Sequence, residues 1–130
     1  MEKNFTVEQV KAALLAVQDR ITPAQTLMLK GHHDCRISSM EKIANFGGYG
    51  ENFKTANIQY GTLCGRIAEQ LGFTPDGSKT FTIATVSSEP DDKGHYQWRM
   101  DDVIVTALEE LGWANRITGW VAPLERAPSY

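Results

Sequence analysis

At 130 residues the chain can bury a sizeable core but not two ordinary ones, so it reads as one domain over residues 1–130. Its 42% hydrophobic, 9% aromatic and 22% charged residues are those of a soluble globular protein, and the net charge of −3 argues mildly against nucleic acid. A polar N-terminus and the lack of the roughly eighteen consecutive apolar residues of a membrane span point to a cytoplasmic protein without a membrane partner.

The first predicted helix covers residues 6–19, with Thr6 and Gln9 at capping-box spacing and Val7, Val10, Leu14 and Val17 as its apolar stripe. A second starts at Thr22-Pro23, with threonine as the cap, proline at the first helical position and Gln25 completing the box. It should turn Leu27, Met28 and His32 toward a core before ending near Cys35. A third, short helix is expected to open at Ser38, with Glu41 as the reciprocal capping partner and Met40, Ile43 and Ala44 on one face.

Gly47, Gly48 and Gly50 end that helix, because only glycine takes positive φ freely. Asn52 then caps a long helix in which Phe53, Ala56, Tyr60, Leu63, Ile67 and Leu71 recur at three- and four-residue steps as a buried stripe. Gly72 closes it. The pair makes a helix-turn-helix over residues 38–71, the skeleton of a DNA-reading motif and also of many ordinary helix pairs.

Beyond Phe73 the pattern changes. After the turn-rich TPDGSK, the segment KTFTIATVSS alternates like a strand, with Phe81, Ile83 and Thr85 on one face. EPDDKG has loop chemistry, and HYQWRM forms a second strand, giving a β-hairpin over residues 80–100. Asp101 or Asp102 caps a last helix over residues 101–112, with Val103, Ile104, Ala107, Leu108 and Leu111 inward and Gly112 at its end. Trp113, Trp120 and Val121 should pack back before the tail frays after Pro123. A hairpin directly after a helix-turn-helix is a winged-helix layout, so the fold class is α+β, mostly helical and winged-helix-like.

The charges are uneven. Residues 20–70 carry +2, residues 71–130 carry −4 and residues 1–19 carry −1. The centre is therefore the natural anion-facing surface, while a hairpin tip with Glu89, Asp91 and Asp92 against Lys93 is too acidic to press on phosphates. The amides of Gly47–Gly50 could make an anion nest beside Asn52, but no P-loop lysine follows, so they read as a turn. His32, His33 and Cys35 lie on one helix and do not converge on a tetrahedral centre, so no metal is expected, although His33 is a conceivable phosphate or partner contact. Tyr96 and Trp98 could stack bases, but alternate residues of one strand fit better as packing for the hairpin. Cys35 and Cys64 suggest free thiols, and no catalytic triad, nucleophile elbow or carboxylate pair stands out.

The run IANFGGYGENFKTANIQYGTLCGRIAEQLG, followed later by HYQWRMDDVIVTALEELGW, resembles a domain placed N-terminal to the nuclease in bacterial HNH-type restriction endonucleases. The resemblance covers roughly residues 23–113, and its most distinctive step is Asn57-x-x-Tyr60-Gly61. It implies a DNA-associated, defence-related module. The nuclease half is missing: the histidines are His32, His33 and His95 alone, and there is no Cys-x-x-Cys.

The resulting expectation is a non-catalytic module that binds duplex DNA without cofactor or metal. Lys42, Lys54 and Arg66 would meet phosphates, Asn52 would stand at the start of the reading helix, and Thr55, Asn57 and Gln59 would read bases. The rival expectation is a protein-interaction module that kept the fold and docks onto a partner through an acidic face.

Overall fold

The computed structural model describes residues 3–116. Two reciprocal capping boxes begin the chain. At α1 (Val7–Val17), Gln9 N donates to Thr6 Oγ1 at 3.1 Å and Thr6 N donates to Gln9 Oε1 at 2.9 Å. At α2 (Pro23–Cys35), Thr22 and Gln25 repeat the arrangement at 3.1 and 2.9 Å. A 3-10 turn, Gln18–Arg20, links the two helices.

The inward face of α2 is Gln25, Met28, Leu29, His32 and His33. Leu27, expected in the core, instead lies outside that arc and is exposed. Gly31 allows the close approach of the next helix, because a Cβ there would stand 2.3 Å from the Phe46 ring.

Residues 37–39 depart from the sequence expectation. Ile37–Ser39 is a strand, β1, so Ser38 does not open a helix. The helix α3 is Met40–Phe46, with Ser39 as its N-cap accepting from Lys42 N at 3.2 Å. A three-residue strand is too short to show alternation, and it exists because a partner strand elsewhere in the chain pairs with it. Glu41, freed from the expected capping box, points elsewhere.

Gly48 and Gly50 take φ of +83° and +60° in the turn after α3, as the sequence suggested. Gly47 is different: its φ is −80°, and it is small because a Cβ would meet Met28 Cγ at 2.7 Å. The long helix α4 is Phe53–Leu71, capped by Asn52 and closed by left-handed Gly72, past which Phe73 N donates to the Ala68 carbonyl at 2.9 Å. Ala56, Tyr60, Leu63, Cys64 and Ile67 are fully buried along it. Each large apolar side chain there contributes roughly 1.5–3 kcal/mol of burial free energy. Phe53, expected on this stripe, is 47% exposed instead, although Ala56 in the same turn is fully buried.

The hairpin strands are short: β2 is Ala84–Val86 and β3 is Gln97–Met100. The expected longer first strand is replaced at Lys79–Thr82 by a 3-10 turn that buries Thr80 and Thr82. Strand β3 offers only four residues to pair, so the alternating pattern upstream of Ile83 has no ladder to join. The sheet order is β1-β3-β2, antiparallel throughout, with Ser38 and Val86 both opposite Trp98. Helices α2, α3 and α4 with this hairpin and its third strand form a mostly helical α+β fold of winged-helix type.

The last helix, α5, is Asp102–Glu110 and buries Ile104, Val105, Ala107 and Leu108. Its N-cap residue Asp101 makes no side-chain cap bond. The carboxylate accepts instead from Lys3 Nζ at 2.7 Å and Thr85 Oγ1 at 2.9 Å, tying the N-terminal segment to the hairpin. Trp113 packs partly buried against the core, while Trp120 and Val121 lie outside the described residues. Among the described residues no helix is long and apolar enough to cross a membrane.

Candidate nucleic-acid interface

The first two turns of α4 stand beside the hairpin, burying Ala56 and Tyr60 on one side and turning the other away from the core. At 100° per residue, Lys54, Asn57, Ile58 and Gly61 share one face. Lys54, Asn57 and Ile58 are exposed, Ile58 at 63%. A Cβ at Gly61 would meet nothing within 4 Å, so no internal contact requires glycine there. Glycine inside a helix costs roughly 1 kcal/mol against alanine. This face therefore carries a local destabilisation that the folded chain itself does not explain.

A buried polar relay fixes α4 against the rest of the fold. His32 Nε2 lies 2.9 Å from the Trp98 carbonyl, which can only accept, so Nε2 carries the proton and donates. Nδ1 is then an acceptor, and Tyr60 Oη, 2.8 Å away, donates to it. One imidazole thus joins α2, α4 and β3. Both partners are fully buried. Burial drives the His32 pKa down to about 4, only partly opposed by the Trp98 bond and the Asp101 charge. The same desolvation pushes the Tyr60 phenol well above its ordinary value. The ring is neutral at physiological pH and every polar atom of the relay is paired.

A second tie holds the hairpin tip. Lys93 Nζ donates to Glu41 Oε1 at 3.0 Å, and His95 Nδ1 lies 3.0 Å from Glu41 Oε2. Both carboxylate oxygens of the residue expected in a capping box thus hold the wing to α3. Asp91 organises the tip from within, its Oδ1 accepting from His95 N at 2.8 Å and Lys93 N at 2.9 Å. Partial burial works to raise the Asp91 pKa, but these two amide bonds and the neighbouring cations bring it below the ordinary carboxylate value. The Glu41 bond and charge raise the Lys93 pKa.

The predicted site residues fall into distinct groups. Lys42 is exposed on α3 and Lys54 and Asn57 are exposed on α4. Asn52 and Thr55 are joined at the cap: Thr55 Oγ1 donates to Asn52 Oδ1 at 3.0 Å, and Thr55 N approaches the same oxygen at 3.5 Å. Gln59 is half-buried, and its carbonyl accepts from Gln25 Nε2 at 2.9 Å. Arg66 donates to the Arg20 carbonyl at 3.0 Å, about 18 Å along α4 from Lys54, so it stands apart from the group at the helix start.

The three histidines are all engaged. His33 is buried, with Nε2 2.8 Å from Glu109 Oε2 and Nδ1 2.8 Å from Asp34 Oδ1, which removes it as an outward phosphate contact. Cys64 is buried and desolvation pushes its thiol up to about 12, so it carries no thiolate at neutral pH. Among the described residues no three His, Cys, Asp or Glu side chains gather closely enough to hold a metal ion.

Three features were not predicted from sequence: the relay, the Glu41 tie, and the outward position of Phe53 and Tyr96, the latter 58% exposed. Tyr96 does meet Trp98, edge to face at 5.7 Å between centroids, but of the two only Trp98 enters the core. No signal in the sequence pairs His32 with Tyr60 or Glu41 with Lys93, since those partners are far apart along the chain. Compared with known proteins, the chain matches no family model, no curated protein and no solved structure.

Proposed function

We propose that the chain is a non-catalytic, cytoplasmic DNA-binding module in which the first turns of α4 enter the major groove of duplex DNA. It would act as a restriction-associated reader, as its resemblance to the domain beside bacterial HNH nucleases implies. The observation that carries the reading is the outward face of Lys54, Asn57, Ile58 and Gly61. A lysine suits phosphate, an amide can pair bidentately with adenine, an aliphatic side chain suits a thymine methyl, and a glycine admits close backbone approach. Lys42 on α3 and Lys93 on the wing are exposed and would add further backbone contacts.

A specific observation also favours a second reading. Phe53, Ile58 and Tyr96 are large apolar side chains exposed on or beside the same face, as a protein-docking surface would have them. Fluorescence anisotropy with a random-sequence duplex, from low to moderate salt, separates the two. The DNA reading expects affinity that falls linearly in log salt, with Lys54→Ala reducing the slope by about 0.9. Absence of binding even at low salt would leave the protein-docking reading in front.

A further inference from the structure

Between the first turn of α4 and the wing lies an open cleft of about 330 Å³. That is the lower end of the roughly 300–1,000 Å³ typical of small-ligand pockets. Phe53 from α4 and Tyr96 from the hairpin line it with aromatic surface that the core does not use, and Met40 supplies further apolar surface. Tyr96 is pre-oriented by its edge-on contact with Trp98, which is itself buried. The only carboxylate lining the cleft, among the described residues, is Glu41, and both of its oxygens are bonded to the wing. Lys54 and Asn57 also line it, leaving a cation and an amide for a ligand.

We propose that this cleft holds one unstacked nucleobase, from an unpaired or extruded nucleotide, an inference that rests on the DNA-binding reading. Two aromatic side chains offer faces for a flat ring, and an amide with one donor side and one acceptor side matches a base edge. The lysine serves the adjoining phosphate. A base inside a continuous duplex is stacked on both sides and does not reach such a cleft, so the nucleotide must leave the stack. An aliphatic peptide would satisfy Met40 and the rings, but gives Lys54 nothing to neutralise.

The test uses the full chain and three labelled probes of one sequence: a paired duplex, the same duplex with a single bulged adenine, and the same bulge lacking its base. The abasic bulge controls for flexibility. The bulged adenine should bind about tenfold more tightly than either other probe, as expected for base–aromatic stacking. Tyr96→Leu and Phe53→Leu, which keep apolar volume, should each remove most of that advantage while leaving paired-duplex affinity near wild type. Replacing the bulged adenine with 2-aminopurine gives a readout on the wild-type chain alone, through a change in its fluorescence on stacking. Equal affinity for the bulged and abasic probes, with the paired duplex still bound, overturns the cleft proposal and leaves the DNA reading intact. An advantage that survives in both variants also overturns it, because the base then sits elsewhere. Failure to bind any probe removes both.

Discussion

The His32 relay makes the fold sensitive to acid in a defined window. In the unfolded chain this imidazole gains a proton below its ordinary pKa of 6.5, whereas burial holds it neutral in the folded protein down to about 4. Between those values the unfolded state binds one more proton than the folded state, so stability rises with pH and is lost as pH falls. The separation of 6.5 and about 4, at about 1.4 kcal/mol per pH unit, amounts to about 3 kcal/mol. That is a large share of the roughly 5–15 kcal/mol that holds a typical domain together. Below about pH 4 this group takes nothing further. Carboxylates held low in the folded state, Asp91 among them, add their own losses toward acid, so a matched variant is required. His32→Gln keeps an amide donor toward the Trp98 carbonyl and does not titrate. Urea unfolding, read by tryptophan fluorescence at about pH 7.5, 5.5 and 4, gives the free energies. The wild type should lose about 3 kcal/mol more than His32→Gln over this range, although the variant starts lower. Parallel pH curves for the two proteins would refute the neutral, buried relay.

Three further substitutions probe the same architecture. Tyr60→Phe leaves His32 Nδ1 buried without a donor and should cost about 1–3 kcal/mol in a chemical melt; a neutral result would mean that the ring does not accept from Tyr60. Gly31→Ala drives a Cβ to 2.3 Å from Phe46 and should destabilise by about 1–3 kcal/mol, unless α2 and α3 separate without strain. Gly61→Ala meets nothing within 4 Å and should raise stability by about 0.5–1 kcal/mol while weakening duplex binding. Equal duplex affinity in that variant would remove close approach as the reason for the glycine.

Local chemistry is what made most of the fold legible. Thr6, Thr22 and Gly72 act within four or five residues of themselves, and the structure uses each as its sequence context implies. The winged-helix order followed from the same punctuation. What escaped depends on distant partners. β1 exists only because Trp98 and its neighbours lie opposite it, and Glu41 was misassigned because its true partners are about fifty residues away. Helical period put Phe53 on the buried stripe and the structure leaves it exposed, because period cannot report what covers the first residue of a helix. The candidate site was legible in the same proportion: Lys54 and Asn57 follow from helix phase and the Asn52 cap from local spacing, while the engagement of Arg66 with Arg20 is tertiary detail.

The charge of the chain bears on how the proposed binding would work. The acidic wing looks hostile to phosphate when its residues are simply counted. Asp91, however, caps its own turn, and Glu41 is bonded by Lys93 and His95, so these two carboxylates are engaged within the protein. The same pairing limits Lys93 as a phosphate contact, and Arg66 stands toward Arg20. Lys42 and Lys54 remain, with Lys93 in part, so the proposed interface has about two or three phosphate contacts and a salt slope of about −2 to −3. An electrostatic term that small cannot by itself hold the protein on arbitrary sequence at physiological salt. On a paired duplex most of the affinity must then come from Asn57 and Ile58, with the aromatic cleft adding only where a base leaves the stack, so the binding must be selective for sequence or for an unstacked base. A measured slope much steeper than −3 would require cations from another face and would move the interface away from α4.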